Sequence, residues 1–235
     1  MLIVIVAIAF LGALLVVYLQ PLPVVRWLAR RHPDVLYFVS LKEKVVALTI
    51  DDAPHALVTP QLLDVLNENA AHATFFVIGD HARGNSQILE RARQEGHELG
   101  NHLAHEYPAV FLPPAQFEKE LAEVDRLISP FPPMKWFRPG SGWYNRRMLN
   151  QARKGGYRCA LGSVYPFDTV MRNRWAISLY IKSQIFPGAV IIIHDGKPYR
   201  TRSAKVLKEV LPALKAAGYR IVSLSELVEI AGGES

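Results

Sequence analysis

"KVVALTIDDAPH", residues 44–55, joins an apolar run to a pair of acidic residues. After Lys44 the run is uncharged and rich in β-branched residues, which reads as a buried strand. It ends on two adjacent carboxylates, Asp51 and Asp52, placed where burial is ending. Like charges side by side repel, so at least one of them needs a cation or a strong hydrogen-bond donor. A simple turn is the plainer reading, because Asp, Ala and Pro are ordinary strand-ending residues. The rest of the chain bears on that choice.

Six further strand-like runs follow: "ATFFVIG" (73–79), "HELGN" (97–101), "KWFRP" (135–139), "YRCALGSV" (157–164), "AVIIIHD" (189–195) and "YRIVSL" (219–224). Helical patterns separate them over 59–70, 86–96, 114–128, 145–156 and 203–218, three of which end on Gly96, Gly156 and Gly218. This alternation predicts an α/β domain with about seven parallel strands covered by helices, a closed or nearly closed barrel in preference to an open doubly wound sheet. Upstream, residues 34–50 suggest an extra strand, joined to the first by the polar turn "SLKEK" (40–44) as a hairpin. In either architecture function collects at the carboxyl ends of the strands. Asp51, Asp52, His102, Arg138, Asp168, His194 and Asp195 all fall there, which argues against a mere turn.

The chain has 235 residues, enough for one sizeable domain. From Met1 to Leu19 it carries no charge; as a helix this run is ~29 Å long, about a bilayer core. With no basic residue before it and no small-residue cleavage site after it, residues 1–20 read as an uncleaved single-pass transmembrane anchor rather than a removed signal. Residues 21–44 then read as a juxtamembrane linker, with Tyr18 and Trp27 suited to the interface. Arg26, Arg30 and Arg31 would favour a cytoplasmic domain by the positive-inside rule, in conflict with an extracytoplasmic one. Basic residues exceed acidic ones by 27 to 21, a formal charge of +6, which favours anionic surfaces such as lipid headgroups or an acidic wall polymer. No zinc-finger spacing, aromatic ribonucleoprotein motif or concentrated basic helix points to nucleic acid, and no obligate protein partner is evident. Cys159 is the single cysteine, so no intrachain disulfide forms.

Metal-assisted hydrolysis fits these strand-end groups. A catalytic ion needs about three His or carboxylate ligands and an open position for water. Asp52 and His102 are natural ligands, and "NHLAHEY" (101–107), read as the first turn of a helix, would bring His105 or Glu106 to the same face. His72, His81 and His97 are expected to cap, pack or face solvent. Asp195 either supports His194 or caps the next segment.

"TIDDAP" (49–54), "GHELGNHLAHE" (96–106), "FRPGSG" (137–142), "VYPFDT" (164–169) and "IIIHDG" (191–196) resemble, in order and spacing, the five motifs of the polysaccharide deacetylases, carbohydrate esterase family four or the NodB homology family. The resemblance covers about residues 45–228 and implies a distorted β/α barrel of the NodB type. It implies Asp51 as catalytic base, Asp52 and His102 as ligands of a divalent metal, Arg138 as the cation orienting the base, and His194, paired with Asp168, as the acid. The metal implied is zinc, with cobalt or another divalent ion as alternatives. The implied reaction removes N-acetyl groups from N-acetylglucosamine in chitin or peptidoglycan. A lipid-linked amino sugar is an alternative substrate, and an inactive carbohydrate-binding scaffold an alternative class. The sequence departs from the family pattern at Ala53, Ser141 and Thr169, and ungapped alignment puts Glu106 rather than His105 at the third ligand position. Ser141, Trp143, Tyr144 and Ile192 are the expected substrate-binding residues.

Overall fold

The computed structural model describes residues 19–128 and 135–233. In chain order the elements are α1 (Leu22–Arg31), β1 (Val35–Leu36), β2 (Val45–Ala53), α2 (Val58–Glu68), β3 (Thr74–Val77), α3 (Gly79–Ala82), α4 (Ser86–Gln94), β4 (Glu98–Asn101), α5 (Pro114–Ile128), β5 (Lys135–Phe137), α6 (Arg146–Lys154), β6 (Tyr157–Ala160), α7 (Arg174–Gln184), β7 (Val190–His194), α8 (Thr201–Ala216), β8 (Arg220–Val222) and α9 (Leu224–Gly233). All seven expected strands are present.

Every strand pairing is parallel, in the order β1-β6-β5-β4-β3-β2-β7, with β8 added to β2. The ring is completed beyond β6, where Val164 forms a parallel bridge with Ile191 and Ile192 N–H donates to the Val164 carbonyl at 3.0 Å. The sheet is thus a nearly closed barrel, the preferred of the two expected architectures. β2 is its centre, buried along its whole length except at Asp52. Leu48, Ile50, Leu62, Leu63, Phe75 and Ile193 belong to one apolar cluster between the strands and the helices α2 and α8.

Four expectations need correction. First, β1 does not fold back on β2 as a hairpin; it pairs in parallel with β6, and Phe38 bridges Ala189. Second, residues 21–44 are no loose linker, since α1 buries Val25 and packs Leu28 and Ala29 against the cluster that holds Tyr37, Phe117 and Phe137. Third, no helix starts at "NHLAHEY", residues 101–107. Leu103 has φ +68, its N–H bonds the Asn101 side chain at 2.9 Å, and Pro108 follows. The chain there is an irregular loop, held because Gly79 and Asp80 N–H donate to the carbonyls of Leu103 and Ala104. Fourth, α7 was not expected; its exposed Trp175 and Leu179 blur the helical period, though Asn173 caps it by accepting from Trp175 and Ala176 N–H. The apolar run Met1–Leu19 lies, but for Leu19, outside the described residues, and among those described no helix is long and apolar enough to cross a membrane.

Candidate active site

Adjacent residues of a regular strand point to opposite faces, yet Asp51 and Asp52 line the same cleft. The register between β2 and β3 shifts between Ile50 and Ala53, and Asp52 takes φ +64. This bulge turns the second carboxylate to the side of the first. The cleft, about 660 Å³ in volume, lies over the carboxyl ends of the strands and is lined also by His102, Arg138, Ile192 and His194.

Asp51 has its cation. Arg138, only 2% exposed, directs Nη1 to Asp51 Oδ1 at 2.5 Å and to Thr49 Oγ1 at 2.8 Å. Its other donors meet the Ala160 and Leu161 carbonyls, and its guanidinium lies 4.1 Å from the centre of the Phe76 ring. These contacts come from β2, β3 and the end of β6, so the arginine cannot swing away without leaving buried donors unpaired.

Asp52 has two neighbours. His102 Nε2 lies 3.4 Å from its Oδ1, and Arg200 Nη1 lies 2.5 Å from its Oδ2. Burial pushes the Asp52 carboxyl up, but His102, His194 and Arg200 outweigh it and hold the group well below the usual carboxylate range. His102 donates Nδ1–H to the Arg138 carbonyl at 2.7 Å, which aims Nε2 at Asp52 and makes it the nitrogen on which a metal would replace a proton. Two ligands on a tetrahedral ion with bonds of about 2.1 Å stand about 3.4 Å apart. Asp52 Oδ1 and His102 Nε2 therefore fit a metal ion.

The third ligand is not assembled: among the described residues no group of three His, Cys, Asp or Glu side chains is arranged around one ion. His105 and Glu106 both line the cleft but are otherwise engaged. His105 Nδ1 is 2.6 Å from Asp80 Oδ2, while Glu106 sits between Lys197 Nζ at 2.6 Å and His81 Nε2 at 3.1 Å. Sequence reasoning missed His81 and Arg200. His81 is no bystander, since its Nδ1 bonds the Asp52 carbonyl at 2.7 Å. Arg200 comes from the loop after β7, where nothing in the local pattern marks it.

Register sets the opposite wall. Asp51 pairs with His194 across β2 and β7. His194 bonds Asp168 twice, through its backbone N–H to Oδ2 and through Nδ1 to Oδ1, both at 2.8 Å. Burial pushes the His194 imidazole down, but Asp168, Asp51 and Asp52 together raise it above the ordinary histidine value. Asp195 is no partner of His194; its oxygens accept from Thr59 Oγ1 and from Gly196 N–H, and burial pushes its carboxyl up to about 7.

The substrate-binding expectations divide. Ser141 and Ile192 line the cleft. Trp143 is 62% exposed and is not among the lining residues, and Tyr144 is turned to Tyr37, their hydroxyls 2.8 Å apart. Tyr37, Tyr107 and Tyr165 are the aromatic residues that do line it.

A barrel with an arginine-held carboxylate, an Asp–His pair at metal-ligand spacing and a His–Asp dyad defines a hydrolase site. Residues 39–160 match the family model described as polysaccharide deacetylase. A peptidoglycan-N-acetylglucosamine deacetylase of Bacillus cereus is 32% identical over 83% of this chain and 92% of its own, and a chitooligosaccharide deacetylase of Sinorhizobium fredii 30% identical over 77% and 90%. Among solved structures, the Bc1960 peptidoglycan N-acetylglucosamine deacetylase superposes with a TM-score of 0.78 at 26% identity, covering 83% of this chain and 92% of that one. A family 4 acetyl xylan esterase from Clostridium thermocellum, solved in complex with a cobalt ion, gives 0.73 at 27% identity over 80% and 92%. The chain belongs to the polysaccharide deacetylase family and is a hydrolase of carbon–nitrogen amide bonds.

Proposed function

We propose that this chain is a divalent-metal-dependent deacetylase acting on N-acetylglucosamine residues of a wall polymer, peptidoglycan in the first place and chitin-type oligosaccharides in the second. The observation that carries the reading is the β2–β7 register, which sets the Arg138-held Asp51 opposite the Asp168-held His194 across one cleft. Relatives that cover most of this chain bear the names of such deacetylases, which does not favour a lipid-linked substrate or an inactive scaffold.

Asp51, held through Oδ1 by Arg138, takes the proton of the attacking water on its other oxygen. Zinc or cobalt held by Asp52, His102 and a third donor would lower the pKa of water toward about 7 and polarise the acetamide carbonyl. His194, with Nδ1–H committed to Asp168, presents Nε2–H to the departing amine. The proton gained by Asp51 and the one lost by His194 balance, and acetate and a free amine leave. Ser141, in a 3₁₀ turn at the cleft rim, and Ile192 contact the sugar.

We read the run Met1–Leu19 as the anchor and place the domain on the wall side of the membrane; protease accessibility in intact cells checks it. The full chain purified in detergent should release acetate from N-acetylglucosamine oligomers, stop on chelation and recover with zinc. Asp51→Asn should lower kcat at least ~10³-fold while metal still binds, in the range of general-base loss. Unchanged acetate release in that variant overturns the base, and full activity after stringent metal removal overturns the metal.

A further inference from the structure

The segment before β1 is built into the site. The Gln20 side-chain amide and the Tyr165 backbone bond reciprocally, Nε2 to the carbonyl at 2.9 Å and Tyr165 N–H to Oε1 at 3.0 Å. The Tyr165 ring stands edge-on to His194, 5.7 Å between centroids. Gln20, Val25 and Leu28 line the same cleft as Asp51, Asp52 and His102. α1 therefore forms one wall of the catalytic mouth with its apolar face.

Its other face has a different composition. Arg26, Trp27, Arg30 and Arg31 are all exposed, Trp27 by 59%. Among the described residues none of the three arginines has an acidic partner within 4 Å. Arg30 and Arg31 complement the helix dipole in the last turn, as basic residues commonly do. That role does not extend to Arg26, nor to an indole left in water beside it. A short helix with an apolar face on one side and arginines flanking a tryptophan on the other has the make-up of an interfacial helix. The uncharged run Met1–Leu19 ends two residues before it.

We propose that the Arg26–Trp27–Arg30–Arg31 face of α1 rests on an anionic phospholipid surface, so that the catalytic mouth is held at the headgroups. Charge complementarity selects the occupant, and the apolar run brings it within reach. Resting on the deacetylase reading above, this restricts the polymer acted on to the layer next to the membrane.

The test uses the full chain reconstituted in vesicles of phosphatidylcholine alone or phosphatidylcholine with phosphatidylglycerol at about seven to three, each with brominated phosphatidylcholine as quencher. Subtracting the emission of Trp27→Phe isolates Trp27. In the anionic vesicles at least half of the Trp27 emission should be quenched, and in Arg26→Gln/Arg30→Gln/Arg31→Gln that quenching should fall at least fivefold. Turnover of soluble N-acetylglucosamine oligomers should be equal in all three proteins, so failure of the deacetylase reading would show separately, as no acetate from any. Trp27 that escapes brominated lipid overturns the docking face, as does quenching that survives loss of the arginines. Shielding from both brominated lipid and aqueous acrylamide would assign the face to a second copy or an acidic polymer, and equally overturns it.

Discussion

Asp168 grips His194 at both its backbone and its ring, and the consequence is a direction in pH. Burial alone would lower the His194 pKa; the carboxylates reverse this and raise it above the unfolded value. The protonated acid therefore persists to higher pH than for a free imidazole, and activity is lost as pH rises through that raised pKa. Asp168→Asn removes the largest opposing charge, so the alkaline limb of kcat/KM moves to lower pH and kcat falls about 10²-fold. An unmoved limb would remove His194 as the acid. The third metal ligand is a second question at this scale. Metal-bound histidines characteristically pass their other N–H to a carboxylate, and Asp80 stands in that relation to His105. Glu106 is instead paired with Lys197 Nζ and stands 3.1 Å from His81 Nε2. We expect His105→Ala to weaken zinc binding about 10–100-fold, as loss of a ligand or its support does, and Glu106→Gln to change it little; competition with a chromophoric chelator measures both. Asp51, Asp52, His102, Arg138, Asp168 and His194 were legible because they stand at or near the ends of apolar runs. His81 and Arg200 were not, because the one-turn helix α3 and the short 3₁₀ turn after β7 that carry them are too short to show a period.

At the scale of elements, strands were more legible than loops. β2, β3 and β7 are short, mostly apolar runs rich in β-branched or aromatic residues, which suits a buried strand, whereas the 101–107 loop was read as a helix on i, i+3 spacing that its backbone does not follow. The bulge at Asp51–Asp52 was equally hidden, since it is a shift of register against β3 that the β2 sequence alone does not mark. Gly196, at the turn after β7, packs on that bulge: a Cβ there would stand 2.7 Å from the Asp52 carbonyl oxygen and 2.8 Å from its Cβ, at φ +82. Gly196→Ala thus strains the turn and pushes the expected metal carboxylate. Such strain costs about 1–3 kcal/mol, and at about 2–4 °C per kcal/mol for a chain of this size the melting temperature should fall by several degrees. Metal affinity should fall as well, because Asp52 Oδ1 leaves its place beside His102. A variant that melts lower but binds zinc as tightly as the parent would separate the turn from the site.

For the whole molecule, the catalytic unit is larger than the family motifs suggest. Drawn from the motifs, it starts near residue 45; drawn from packing, it starts by Gln20. The reason is topological: β6 needs β1 on its outer edge, and the cluster around Phe117 and Phe137 is closed by Val25, Val35 and Tyr37, all buried. A two-residue strand and a basic helix carry little pattern, so their role was not readable from sequence. The energetic consequence is testable by comparing chains that begin at Gln20 and at Val45, both without the apolar run. Burying a large apolar side chain is worth about 1.5–3 kcal/mol, so losing these three costs about 5 kcal/mol or more, against a total of about 5–15 kcal/mol for an ordinary domain. The shorter chain also loses the Gln20 pairing with Tyr165 and one wall of the cleft. It should melt at least ~10 °C lower, or fail to fold, and where it folds its KM for soluble oligomers should rise. Equal melting temperatures for the two chains would return residues 21–44 to the status of a linker.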